Sequence, residues 1–243
     1  MSWRTFSLAF KQKYEGGYRY LDRCGEFMLE AEKDLNFMPG DTKPAGAKME
    51  IPERGIKSTV DAAEIFLLQE LPSEGDADFL SICMSVSRLA SKHFQPTRIT
   101  SNGFAWRAFW PLQTADAALA ASLHFADEKQ LQLGKLLGMV PRDKRLDFNF
   151  SSGSMVFHVV LEAITFEKIA VNRHNASFSA STAQKERVAR LNKSAERFSV
   201  HLSHALMLDL DLIEADPPQD SLKTHFEQLS RYAASLKKHF TFP

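Results

Sequence analysis

Residues 205–240, ALMLDLDLIEADPPQDSLKTHFEQLSRYAASLKKHF, change hydrophobic period midway, and that change decides how the rest of the chain is read. Leu206, Leu208, Leu210 and Leu212 alternate with Met207, Asp209, Asp211 and Ile213. Successive side chains of a strand point to opposite faces, so this spacing predicts a half-buried strand with one apolar face and two carboxylates on the other. Pro217 and Pro218 end it, since proline lacks the amide donor that a ladder needs. Asp220 can accept from the free amides of the next turn, and Leu222, Phe226, Leu229, Leu236 and Phe240 recur at helical spacing. A strand followed by an amphipathic helix is predicted.

Upstream, residues 145–151 alternate Leu146, Phe148 and Phe150 with Asp147 and Asn149. An SSGS turn leads from them into SMVFHVVLEAITF, rich in β-branched and aromatic residues, which together predict a hairpin. Between the hairpin and residue 205, residues 170–180 read as a loop. Ser181 and Gln184 then form a capping box for a helix over 181–203 that carries Val188, Leu191, Ala195 and Phe198 on one stripe. Residues 117–125 are assigned to a strand, with their alanines favouring helix as the competitor, and Asp127 with Gln130 opens a helix running to Gly138.

The first half gives a similar order. A strand is predicted over residues 3–10, and a helix over 18–36 on the stripe Leu21, Cys24, Met28, Ala31 and Leu35. PGDTKPAG reads as a loop, KMEIPE and RGIKST as a short extended pair around a turn, and 62–71 as a strand. Residues 76–94 form a helix with an almost complete apolar stripe, and the aromatic segment RITSNGFAWRAFW after it is extended, with Asn102-Gly103 a bend or bulge. The expected fold is therefore α+β, with two tandem ferredoxin-like (βαββαβ) lobes of antiparallel sheet, residues 1–112 and 113–243, the second carrying an extra carboxy-terminal helix. Crossover helices would cover one face of each sheet and leave the other open, so the two sheets either meet face to face or run together as one. Phe104, Trp106, Phe109, Trp110, Phe148 and Phe150 would supply an apolar inner layer.

The chain's 243 residues are enough for two such lobes, and 44% hydrophobic with 25% charged residues is the balance of a globular protein. Thirty basic residues offset thirty acidic ones, so no overall field draws the chain toward nucleic acid or anionic lipid. Cys24 and Cys83 both fall on apolar stripes and read as buried thiols in a reducing compartment. No window approaches the ~18 apolar residues of a membrane span, so a cytoplasmic protein with no membrane partner is expected.

Candidate chemistry is sparse. Asp209 and Asp211 share one face of a strand and could hold a divalent cation or divide acid and base roles, against the simpler reading of a solvated face. His201 and His204 lie one turn apart but lack the further ligands that zinc recruits. His93, His124 and His158 fall within predicted elements as packing or interfacial residues. Lys185, Arg187, Arg190, Lys193 and Arg197 gather on the 181–203 helix, with Arg142, Lys144 and Arg145 a second small cluster. Both could track a phosphate backbone while sheet aromatics stack on bases, or simply solvate a helix face. There is no phosphate-cradling glycine loop, nucleophile elbow, HExxH or paired CxxC, and no cofactor is indicated.

The closing strand and helix, with RITSNGFAWRAFWPL, resemble a sporadically distributed bacterial family of uncharacterised proteins, a resemblance that covers about a quarter of the chain and implies no activity. The tandem element order is similar to repeat-associated CRISPR RNA-processing nucleases, although their carboxy-terminal glycine-rich loop has no counterpart. It is also similar to haem-binding barrels of the chlorite-dismutase type, a resemblance that would ask His158 or His174 to serve as axial ligand. The leading expectation is a cytoplasmic binding or interaction protein, capable of homo-oligomerisation, that holds a protein or peptide on sheet or interlobe surface. RNA binding or processing through the basic helix, and a small-molecule enzyme with an interlobe pocket, are the alternatives.

Overall fold

In the computed structural model the described residues are 2–44, 46–72, 76–124, 145–165, 182, 185–186, 188–189, 192–193, 204–218 and 221–240. The first strand is β1 (Arg4–Glu15), followed by helix α1 (Tyr20–Leu35) and strands β2 (Met38–Lys43), β3 (Gly46–Ile51), β4 (Ile56–Val60) and β5 (Glu64–Glu70). Helix α2 (Asp76–Phe94), strand β6 (Arg98–Leu112) and helix α3 (Ala115–His124) come next. Strands β7 (Arg145–Ser152), β8 (Met155–Thr165) and β9 (His204–Ala215) and helix α4 (Leu222–His239) complete the order.

The nine strands among the described residues join one sheet in the order β2-β3-β4-β5-β1-β6-β9-β8-β7, with every neighbouring pair antiparallel. The α+β class holds, and the two sets of strands run together rather than forming separate sheets. Residues 117–125, expected as a strand, belong largely to α3 instead. Their alanines carry neither the β-branching nor the bulk that a pleated surface rewards, and Ala118 and Ala121 pack inward where α3 lies against β8 and β9. Among the described residues the second βαββαβ set is therefore one strand short. The opposite correction applies to PGDTKPAG, expected as a loop, because residues 38–43 form β2. Pro39 is tolerated there because β2 is the end strand of the sheet, and the register with β3 breaks between Pro39 and Thr42. Asn102 and Gly103 run straight through β6 without a turn.

The register explains where the core sits. On β9, Leu212, Leu210, Leu208 and Leu206 face Phe104, Trp106, Ala108 and Trp110 of β6, and the first three also face Phe157, Val159 and Leu161 of β8. Phe104 and Trp106 in turn face Phe10 and Leu8 of β1. Alternation in each strand thus builds one continuous apolar face across the middle of the sheet. Helices cover it: the Phe226 ring of α4 meets Phe104 at 5.3 Å, and Phe79 of α2 lies 6.4 Å from Phe226. Helix α1 packs on α2, with Phe27 and Phe94 rings 5.0 Å apart.

Within this layer, Gln12 donates to Asn102 at 2.9 Å and accepts from Ser87 at 2.9 Å, so three buried polar side chains satisfy one another. Trp3 Nε1 donates to the Phe240 carbonyl at 2.9 Å, tying the start of β1 to the end of α4. Gly55 (φ +64°) closes the β3–β4 turn where a Cβ would lie 2.6 Å from the Glu70 carbonyl. No helix among the described residues is long and apolar enough to cross a membrane.

Candidate functional site

The two faces of the β7–β8–β9 region carry different chemistry, because a strand sends neighbouring side chains to opposite sides. On the face away from α4, Asp209 and Asp211 stand side by side as the alternation of β9 requires, and each has a partner. Arg107 donates to Asp209 through Nε at 2.9 Å and also through Nη2. His158, opposite Asp211 on β8, has Nδ1 3.4 Å from the Asp211 carboxylate and Nε2 2.7 Å from that of Asp147 on β7. The result is a row Arg107, Asp209, Asp211, His158, Asp147 across four adjacent strands.

Electrostatics follow the geometry. The hydrogen bond to Asp147 holds the His158 imidazole above its usual pKa, opposed by burial, with the Asp211 contact adding a lesser upward push. Asp147 is held below the usual carboxylate range, first by its bond to His158 and then by Arg145. Burial pushes Asp211 up, the Asp209 charge adds to this, and His158 and Arg107 only partly offset it. Among the described residues no three His, Cys, Asp or Glu side chains are placed to hold a metal ion. With the Asp209 and Asp211 carboxylates engaged by Arg107 and His158, the row reads as a charge network bracing the strands.

The face toward α4 is different. Between the β7–β8 hairpin and α4 lies a groove of about 640 Å³, walled by Leu146, Phe148, Phe150, Phe157 and Val159 on the sheet side and by Tyr232, Leu236 and Phe240 on the helix side. Phe157 and Tyr232 rings meet at 4.8 Å at its floor. Phe148 and Phe150 stack at 6.2 Å and remain 43% and 56% exposed. Gln228, Ser235 and His239 place a few polar groups along the helix wall, and Gln228 donates to the Tyr232 hydroxyl at 2.8 Å. A mostly apolar hollow of this size with sparse polar groups has the character of a binding site.

The remaining candidates are dispersed. Lys185 and Lys193 are exposed and helical, while Arg187, Arg190, Arg197, Arg142, Lys144, His174 and His201 lie outside the described residues, as do Asp220 and the helix expected from Asp127. Phe104, Trp106, Phe109 and Trp110 are buried, which removes them from any base-stacking surface. Cys24 and Cys83 are free and buried. His93 is held between Glu26 and Glu30 where α1 meets α2, and His204 sits on β9 opposite Leu112. The groove was not foreseen: the alternation of Phe148 and Phe150 assigned them to an inner layer, and only their place on the last strand leaves them open. A buried pair, His225 Nε2 to Glu214 at 2.6 Å, was also missed, since its partners lie on different elements.

No protein-family model matches this chain, and no curated protein matches it.

Proposed function

We propose that this protein is a binding module that takes an extended peptide segment of a protein partner along β7, with the segment's apolar side chains entering the groove beneath α4. The observation that carries the reading is the exposure of Phe148 and Phe150 on β7, the last strand of the sheet among the described residues, continuous with an apolar groove. An end strand offers backbone donors and acceptors to an incoming strand, and alternate side chains of that strand then reach the same face as the phenylalanines. Backbone pairing supplies affinity and the groove supplies selection. The two free, buried thiols support action in a reducing compartment such as the cytoplasm. The order β4-β5-β1-β6, with α1 and α2 packed together, supports reading the first half as one ferredoxin-like unit to which the β7–β8–β9 strands add the binding edge.

A displayed library of extended peptides selected on the purified protein tests this. Selected peptides should alternate apolar residues, protect β7 amides from hydrogen exchange, and lose affinity by about tenfold or more in the double variant Phe148→Ser/Phe150→Ser. Both rings are about half exposed and neither belongs to the core, so that variant should keep the wild-type circular dichroism and melt only slightly lower. A selection that yields no binder, or binders indifferent to the double variant, overturns the proposal.

A further inference from the structure

Gln228 and Tyr232, one turn apart on α4, form a polar pair in the wall of the β7 groove. The Gln228 amide donates to the Tyr232 oxygen at 2.8 Å, and the Tyr232 ring rests on Phe157 at 4.8 Å, so the hydroxyl is held from two directions. That bond uses one N–H of Gln228 and one lone pair of the hydroxyl. The Tyr232 O–H and the Gln228 Oε1 are left over, and neither bonds to another described residue. A donor and an acceptor thus stand side by side in an otherwise apolar hollow.

The rest of the lining offers less. Ser235 Oγ donates to the Arg231 carbonyl at 3.0 Å, the His239 ring lies 5.0 Å from that of Phe240, and Ser151 and Ser152 sit at the hairpin end. The Arg231 guanidinium lies 5.9 Å from the Tyr232 ring centre, but Arg231 is exposed and outside the lining. No Asp, Glu, Lys or Arg is among the described residues that line the groove. A charged side chain entering it would lose water without meeting a counter-charge, and a wholly apolar one would leave the donor and acceptor unpaired. A neutral side chain carrying both an acceptor and a donor meets both demands. Reach narrows the choice. Phe157, beneath Tyr232, pairs with Phe150, and a strand added outside β7 lies about 5 Å from Phe150 and about 10 Å from Phe157. Its side chain must pass the Phe150 ring to reach Tyr232, which favours glutamine over the shorter Ser, Thr and Asn. We infer that the segment taken up along β7 carries a glutamine beside Phe150, its carboxamide accepting from the Tyr232 hydroxyl and donating to Gln228 Oε1. This rests on peptide docking along β7 and adds what the docked segment must contain: the phenylalanines hold apolar residues, and Tyr232 with Gln228 determines specificity.

Sorting the displayed peptide library in parallel on wild type, Tyr232→Phe and Gln228→Met tests it. Tyr232→Phe keeps the ring on Phe157 and Gln228→Met keeps the length of the wall, so both variants should keep the circular dichroism and melting temperature. Wild type should enrich glutamine at one groove-facing position between apolar neighbours, and replacing it by methionine in the selected peptide should weaken binding about tenfold. On either variant that preference should fall below about twofold, with the methionine peptide bound at least as tightly as by wild type. Wild-type binders with apolar residues at every groove-facing position, or a glutamine preference that survives in either variant, overturn the inference. Peptide docking then still stands, because those binders depend on Phe148 and Phe150. No binder at all, or binders indifferent to Phe148→Ser/Phe150→Ser, overturns both.

Discussion

Arg107 on β6 and Asp209 on β9 stand opposite each other across the sheet, and the guanidinium donates to one oxygen of the carboxylate through both Nε and Nη2. The Asp209 side chain is mostly buried, whereas that of Arg107 is almost half exposed. Arg107→Ala should therefore destabilise the fold by only about 1 kcal/mol, because solvent screens the pair and partly replaces the lost donor. Urea unfolding of Arg107→Ala and Asp209→Asn checks this, and a loss several times larger would mean that the row of charges does more than brace neighbouring strands.

The His158 contacts predict a pH dependence. A raised imidazole pKa contributes stability that is complete below the ordinary value of 6.5 and is lost as pH rises through the folded value. The lowered Asp147 carboxyl contributes stability above its ordinary 3.8 that is lost as pH falls through its folded value. The tie from β7 to β8 is thus strongest between these limits, while the tie on to β9 weakens earlier as pH falls, because burial raises the Asp211 carboxyl. Proton resonance of the His158 ring should titrate above 6.5 in the wild type and move down toward 6.5 in Asp147→Asn. A wild-type midpoint at or below 6.5 would contradict the geometry.

Two residues of β9 should respond very unequally to the same truncation. Leu208 is wholly buried on the face covered by helices, so Leu208→Ala should cost about 2–5 kcal/mol through lost burial and the cavity left behind. Ile213, 47% exposed on the other face, should change stability by no more than about 0.5 kcal/mol as Ile213→Ala. Denaturant midpoints at constant slope measure both. Equal effects would refute the assignment of faces.

His225 and Glu214 join α4 to β9, 2.6 Å apart and largely buried. Without His225, Glu214 keeps only the Ser154 hydroxyl at 3.5 Å, so His225→Ala should lose about 1–3 kcal/mol. The double variant His225→Leu/Glu214→Leu should recover much of that loss, because an apolar pair of similar volume leaves no buried polar group without a partner. Calorimetric melting of the single and double variants decides it, and a double variant as unstable as the single one would show that the pair is more than mutual compensation.

Much of the architecture was legible where one period dominates. The hairpin of β7 and β8, helices α1, α2 and α4, and the strand with Asp209 and Asp211 on one face all emerge from local alternation. The failures came where local signals are weak. An alanine-rich run satisfies helix and strand alike until packing chooses, and a proline segment reads as a loop until a neighbouring strand pairs with it. The groove escaped notice because exposure depends on which strand comes last in the sheet.

From the amino-acid order alone came the α+β class, the two-faced β9 strand and its amphipathic helix, and the buried thiols, because these depend on side-chain spacing within a few turns or pleats. Only the folded chain decided that Arg107 meets Asp209 from 102 residues away, that His158 bridges Asp147 and Asp211, and that Phe148 and Phe150 lie open on an outer strand. Strand order is set by which surfaces can be buried together across long connections. Backbone periodicity, which repeats over only a few residues, carries no record of that choice.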